Sequence, residues 1–210
     1  PEPEAMSADP HAVTSLAALE ALYGPANPNS LAKVRHDIDE PSRRFIGLSP
    51  FCVLTTRGAD GRPHGTPRGD GPGFCAVLSP TELALPDRRG NNRLDALRDI
   101  LGDSRVALLF LIPGVGETLR VAGRATITTD PALRAVLAEQ GKEPATVLRI
   151  AVEEVFFQCA RALMRSRLWG DLPRPAAVPT AGQFMQSATA GRLDPVSYDR
   201  EAPARLAQLY

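Results

Sequence analysis

The chain reads as a mainly β protein, an antiparallel barrel with peripheral helices (α+β), on three observations. From Phe51 onward, apolar residues come in short strand-like runs separated by turn pairs such as Asp60-Gly61. Helical spacing is confined to the first 50 residues and to a few short connectors. The regular exchange of strands with long helices that marks a doubly wound parallel sheet is missing. With 210 residues, 43% of them hydrophobic, the chain can bury a full core. The organisation expected is a helical segment over 1–44 packed on the barrel, the barrel over 45–170, and an irregular extension over 171–210.

The elements follow in order. His11 to Tyr23 carries Val13, Leu16, Leu19 and Leu22 at helical spacing and stops at Gly24-Pro25. Asn29 or Ser30 is positioned to cap a second helix with Leu31, Val34 and Ile38 on one side, and Pro41 opens a third with Phe45, Ile46 and Leu48 inward. Phe51 to Thr56 is the first strand, Asp60-Gly61 a type I′ hairpin signal, and Pro63 to Arg68 the returning strand. Phe74 to Leu78 and Glu82 to Leu85 form a second pair around Ser79-Pro80. A helix follows with Leu94, Leu97, Ile100 and Leu101 inward, ending at Gly102. Arg105 to Ile112 is almost wholly apolar and predicts a strand buried on both faces, whereas Glu117 to Thr128 predicts a long strand with Gly123 at a bulge or close contact. Asp130-Pro131 caps a helix ending at Gly141; Val147 to Val152 and Val155 to Cys159 complete the strands, and Ala160 to Met164 turns into a short helix. Past Trp169, Pro, Ala and Gly predict irregular structure, with a short final helix from Pro203.

Composition narrows the function classes. The formal net charge is zero, so neither nucleic acid nor an anionic membrane is the expected partner, and the longest apolar run, Val106 to Ile112, is far too short to cross a bilayer. The first ten residues are acidic and proline-containing, with no apolar leader, which gives a cytoplasmic expectation. Cys52, Cys75 and Cys159 lack paired spacing, so neither a disulfide framework nor a metal site is expected, and each reads as a small buried hydrophobe.

Against this neutral background, Leu85-Pro86-Asp87-Arg88-Arg89-Gly90-Asn91-Asn92-Arg93 concentrates anion-binding chemistry at a strand-to-helix junction. Guanidinium groups match phosphate oxygens, Gly90 permits close backbone approach, and a helix start offers free amides. A solvated turn with Asn91 or Asn92 as helix cap is the alternative reading. Arginine at a helix start opposes the helix dipole, which favours the reading with an anion present.

Five ordered pieces carry a family resemblance: the hairpin 51–71 ending Thr66-Pro67-Arg68-Gly69-Asp70; Leu85 to Leu94; Leu109 to Gly114; Leu119 to Ala125; and Cys159 with Arg165-Ser166-Arg167-Leu168-Trp169. Together they resemble the pyridoxamine 5′-phosphate oxidase-like, FMN-binding split-barrel superfamily, and within it a bacterial subgroup of FMN-dependent type. The resemblance implies an antiparallel split β-barrel and FMN as cofactor. It implies a homodimer with the cofactor site at the subunit interface, acting as an oxidoreductase on a small molecule. It places Arg68, with Gly69, near the flavin phosphate and ribityl chain. Pro86, Arg88, Asn91, Asn92 and Arg93 would form the rest of the phosphate site. Arg120, Arg165, Ser166 and Trp169 would come from the partner subunit.

The departures are as informative. True pyridoxamine phosphate oxidases carry a Ser-Arg-Lys-type phosphate segment and a C-terminal Arg-x-His signature, whereas this chain has Asn91-Asn92-Arg93 and ends Ala207-Gln208-Leu209-Tyr210. A different substrate is therefore expected. No residue earns a catalytic assignment: His11 and His36 read as surface groups, Glu153-Glu154 as a solvated turn, and Ser49, Ser79 and Ser104 lack a nucleophile context. In flavin enzymes the ring carries the electron chemistry, so this absence is compatible with redox function. The alternative is a non-catalytic flavin- or haem-binding carrier or sensor. Individual residues keep structural readings too: Arg68 paired with Asp70, Arg120 paired with Glu117 or a neighbouring strand, Trp169 packed in the core, His64 on a barrel strand.

Overall fold

A computed structural model describes residues 9–171 and 177–206. The chain divides into two compact units, residues 1–34 and 35–210. The smaller contains α1 (Leu16–Tyr23), capped by the Ser15 side chain, and the single turn α2 (Pro28–Leu31). The first helix is shorter than its apolar spacing predicts, because Ser15 caps it and residues 9–14 are not helical. In the larger unit α3 (Glu40–Leu48) starts one residue before Pro41, with Asp39 as cap, and buries Ile46 while Leu48 stays exposed. It packs against the sheet, so it belongs with the barrel rather than with the N-terminal segment.

Seven antiparallel strands form one sheet in the order β2-β1-β5-β6-β7-β4-β3. They are β1 (Phe51–Arg57), β2 (Pro63–Gly69), β3 (Ala76–Ser79), β4 (Glu82–Asp87), β5 (Arg105–Leu111), β6 (Thr118–Thr128) and β7 (Thr146–Gln158). The sheet curls around one core without closing. Cys52 and Leu54 of β1, Leu108 and Phe110 of β5, Val121 of β6, Ile150 of β7 and Leu83 and Leu85 of β4 share a single cluster. This is a split barrel, with β2 and β3 as its free edges.

Several local expectations are corrected. The hairpin at Asp60-Gly61 is not type I′: only Gly61 has positive φ (82°), the Gly61 amide donates to Gly58 O, and the Gly58 amide donates to Arg62 O. These bonds enclose a three-residue loop with glycine in the left-handed position, which tolerates an ordinary residue at 60. β5 is buried on one face only; Val106, Leu108 and Phe110 face the core, while Ala107, Leu109 and Leu111 are half-buried. Glu153-Glu154 is not a turn. Both lie within the continuous β7, where Ala122 pairs with Glu154 and Gly123 with Val152, leaving Glu153 as the extra residue of a bulge.

α4 (Asp95–Gly102) lies on β1 and β6 and buries Ala96, Asp99 and Ile100, whereas Leu94 and Leu101 are exposed. Its start is not capped by Asn91 or Asn92; the capping position is Leu94, in the left-handed region at φ 59° with no side-chain bond. α5 (Pro131–Val136), capped by Asp130, covers the other face of β4 through Leu133 and Leu137, which pack with Ala84 and Val147. α6 (Arg161–Ser166) follows β7. Past Trp169 the expected irregular extension contains helices α7 (Ala181–Ala188), α8 (Pro195–Arg200) and α9 (Ala202–Leu206) among the described residues. Thr180 and Gln183 form a reciprocal capping box and Asp194 caps Pro195, signals that outweigh the Pro, Ala and Gly content. The acidic residues 1–8 and the tail Ala207 to Tyr210 lie outside the described residues.

Candidate functional site

Strand register decides which residues can meet. Directly paired residues point to the same face, and Arg68 pairs with Cys52, Thr66 with Leu54, and His64 with Thr56. Since Cys52, Leu54 and Thr56 are buried on the core side, Thr66 and Arg68 face inward from the free edge β2. On the other side of the split, Asp87 pairs with Thr146 and Leu85 with Leu148, so Asp87 and Thr146 face inward as well. Between these edges lies a cleft of about 810 Å³. Its walls are Thr66 and Arg68, the turn from Asp87 to Leu94, the first residues of α4, and the loop 142–146.

Five of the residues singled out in the sequence meet there: Arg68, Arg88, Asn91, Asn92 and Arg93. Five cationic side chains (Arg68, Arg88, Arg89, Arg93, Lys142) line the cleft against three acidic ones (Asp87, Asp95, Glu143). Their pairing is uneven. Arg88 Nε donates to Asp70 Oδ2 at 2.6 Å and its Nη1 to Leu137 O at 2.8 Å, in a largely buried clasp across the split. Asp70 therefore serves Arg88 rather than Arg68. Arg93 is exposed and reaches Asp95 at 2.5 Å. Arg68 is the loosest of the three: Nη1 donates to Pro67 O at 3.1 Å, and Nη2 lies 3.5 Å from Asp87 Oδ1. Burial pushes the Asp87 carboxyl above the usual carboxylate range, and the Arg68 guanidinium pulls it back only in part.

Among the described residues, three buried side-chain atoms lack any hydrogen-bond partner: Thr66 Oγ1, Arg68 Nε and Thr146 Oγ1. All three residues line this cleft. Buried polar atoms in native proteins almost always find a partner, so three exceptions at one place point to something bound there. Thr66, Asp87, Thr146 and Lys142 were not legible as site residues. Asp87 stood inside the basic segment, but Thr66 and Thr146 reach the cleft only through strand register and Lys142 through the loop before β7.

The remaining expected contacts lie elsewhere. Pro86 is fully buried and pairs with Val147, on the face of β4 turned away from the cleft, so its side chain is not a cofactor contact from this side. Gly69 pairs with Phe51 at the end of β2, outside the cleft lining, and a side chain there would come within 3.2 Å of Pro50 O. Arg120 pairs with Leu109 and Phe156 on the outer face, bonds Glu154 at 2.8 Å and lies 5.1 Å from the Phe156 ring centroid. Its partner is thus on β7, not Glu117. Ser166 donates to Leu163 O, Arg165 is exposed in the last turn of α6, and Trp169 is not core but part-exposed, with Nε1 donating to Val115 O at 2.8 Å. These residues follow the far end of β7, 13 residues long, from the cleft at Thr146. That is on the order of 40 Å along an extended strand.

Two of the histidines have structural partners. His64 Nδ1 donates to Asp99 Oδ2 at 2.7 Å and Thr56 Oγ1 to the same oxygen at 2.6 Å. His36 Nδ1 lies 2.8 Å from Glu153 O. Cys52 and Cys75 are buried, and burial pushes the Cys52 thiol up to about 12. Cys159 is exposed, contrary to its reading as a buried hydrophobe, because β7 ends at Gln158. Among the described residues no group of three His, Cys, Asp or Glu is placed to hold a metal, and no helix is long and apolar enough to cross a membrane.

Comparison with known proteins places this geometry in a family. No curated protein matches the chain at a significant level. HupZ of Group A Streptococcus is similar over 58% of this chain and 94% of its own, at 17% identity and TM-score 0.48. The general stress protein 26 of Bacillus anthracis is similar over 54% of this chain and 88% of its own (17% identity, TM-score 0.42). An F420 reductase is similar over 58% and 98% (21% identity, TM-score 0.42). The family model described as pyridoxamine 5′-phosphate oxidase matches residues 38–159, more than half of the chain and every strand of the barrel. The chain belongs to the pyridoxamine 5′-phosphate oxidase family.

Proposed function

We propose that the protein is an FMN-binding oxidoreductase of pyridoxamine 5′-phosphate oxidase-like type that acts on a small molecule. The observation carrying this reading is the set of unpartnered atoms, Thr66 Oγ1, Arg68 Nε and Thr146 Oγ1, in a cleft with an excess of cations. The donor set fits the phosphate end of FMN. Arg68, Arg89 and Arg93 supply charged donors, the two threonine hydroxyls supply neutral ones, and Leu94, Ala96 and Leu97 provide an apolar wall. Bound FMN would supply the electron and hydride chemistry. The chain's own part is to hold the phosphate, orient the ring and exclude water from one side. A haem is less suited to this cleft, whose lining among the described residues lacks the His, Cys, Met or Tyr that usually binds haem iron. The segments bearing Arg120, Arg165, Ser166 and Trp169 would complete the site from a second copy of the chain.

Reconstitution tests the reading. The protein should take up FMN and show absorbance near ~450 nm. Charged hydrogen bonds of this type are worth roughly 1.5–3 kcal/mol each, so Arg68→Ala or Arg93→Ala should weaken FMN by about ten- to a hundredfold and leave riboflavin, which lacks the phosphate, little changed. A protein that takes up no FMN, or equal losses for FMN and riboflavin, would count against a phosphate site. Rapid bleaching of the bound flavin by NADH or NADPH under anaerobic conditions separates an oxidoreductase from an inert carrier.

A further inference from the structure

We propose that binding of an anion in this cleft is coupled to uptake of a proton by Asp87, because Asp87 and the anion compete for Arg68. The inference rests on the cleft being an anion site. Asp87 stands at the end of β4 with its side chain 18% exposed, and its one ion-pair partner among the described residues is Arg68, at a loose 3.5 Å. Arg68 still has Nε without a partner. The other charged groups lining the cleft are more fully engaged or more exposed. Arg88 is bound to Asp70 and Leu137 O, Arg93 to Asp95, and Glu143 to Arg134; Arg89 and Lys142 are exposed.

An incoming anion draws on the least committed donors, which are those of Arg68. Asp87 then loses the cation that offsets its burial and gains a negative neighbour. Both changes favour the neutral carboxylic acid. The proton comes from solvent and goes to an Asp87 carboxyl oxygen; no other bond is made or broken. Once protonated, Asp87 becomes a hydrogen-bond donor, so the group that would repel an anion can bind it. Burial already holds the Asp87 carboxyl above its ordinary range, which favours the same neutral form.

Calorimetric titration of FMN in two buffers of different ionisation enthalpy measures the protons exchanged, repeated over about pH 5–8 for the wild type and Asp87→Asn. The difference between the two proteins cancels the titration of the FMN phosphate. Relative to Asp87→Asn, the wild type should take up as much as one proton. Its FMN affinity should fall by up to about tenfold more per pH unit within the window between the free and bound pKa of Asp87. The chemical shift of the Asp87 carboxyl carbon in the wild type, with and without sulfate, which does not titrate here, gives a second measurement that needs no variant. Identical proton uptake in both proteins, or an Asp87 carbon whose titration ignores the anion, overturns the coupling while leaving FMN binding intact. If FMN fails to bind but sulfate shifts the titration of Asp87, the flavin reading falls and the coupling stands. If neither binds, both fall.

Discussion

Arginine identity was readable from the chain, but arginine availability was not. Arg88, Arg68 and Arg93 look equivalent as phosphate donors in the sequence. Once folded, Arg88 is held by Asp70 and a backbone carbonyl, Arg93 is exposed beside Asp95, and Arg68 keeps an unsatisfied Nε. The same scale explains His64. Its bond to Asp99, which also accepts from the buried Thr56 hydroxyl, ties β1 and β2 to α4. These bonds hold the Asp99 carboxyl below the usual range, Thr56 contributing most. A carboxylate with a depressed folded-state pKa contributes stability that is present above its unfolded value, about 3.9, and is lost as pH falls through the folded value. Asp99→Ala should therefore lower stability near neutral pH by about 1–3 kcal/mol, since the Thr56 hydroxyl is left without an acceptor. It should also flatten the acid limb of the stability profile below about pH 4. Urea unfolding across the acid range checks both, and an acid limb as steep as that of the wild type would show that Asp99 is not its source.

Elements succeed or fail according to whether their signals are local. Caps and proline starts are local: Asp130 begins a helix where expected, and Asp39 and Asp194 cap helices by the same signal, the latter in a segment expected to be irregular. Bulges depend on the partner strand. Gly123 stands where β7 crowds β6, and a Cβ there would come within 2.1 Å of Ala151 O. Backbone on both strands is held by the ladder, so relief requires loss of pairing. Gly123→Ala should therefore cost about 1–3 kcal/mol, the range for overpacking, which outweighs the roughly 0.4–1 kcal/mol gained from reduced unfolded-state freedom. The urea midpoint should drop accordingly; an unchanged midpoint would mean that the bulge yields easily. The junction from Asn92 to Asp95 departs from expectation for a related reason. Leu94 is held at φ 59°, a conformation costing an ordinary residue roughly 1–2 kcal/mol, and burial of Ala96 and Ile100 just beyond it supplies the compensation.

At the scale of the whole molecule, the two groups of expected cofactor contacts stand on different faces and at opposite ends of the long strand β7. One chain cannot bring them together, whereas a two-fold pair can. A heterodimer of Arg93→Ala with an Arg165→Ala/Trp169→Ala double variant should then keep one intact flavin site of two, measured as half-stoichiometric FMN uptake. No uptake by a verified heterodimer would remove Arg165 and Trp169 from the partner's pocket. The amino-acid sequence alone determined the antiparallel strand-rich architecture, the order of its hairpins and the basic segment from Arg88 to Arg93, because period-two patterning, turn residues and charge clusters act over a few neighbouring positions. The tertiary structure alone decided that Thr66 and Thr146, 80 positions apart, line the same cleft. It also decided that Pro86 faces away, that Asp70 belongs to Arg88, and that Arg68 is what offsets the burial of Asp87 among the described residues. Those relations come from strand register and from the curl that brings the free edge β2 toward the end of β4, and no local signal carries either.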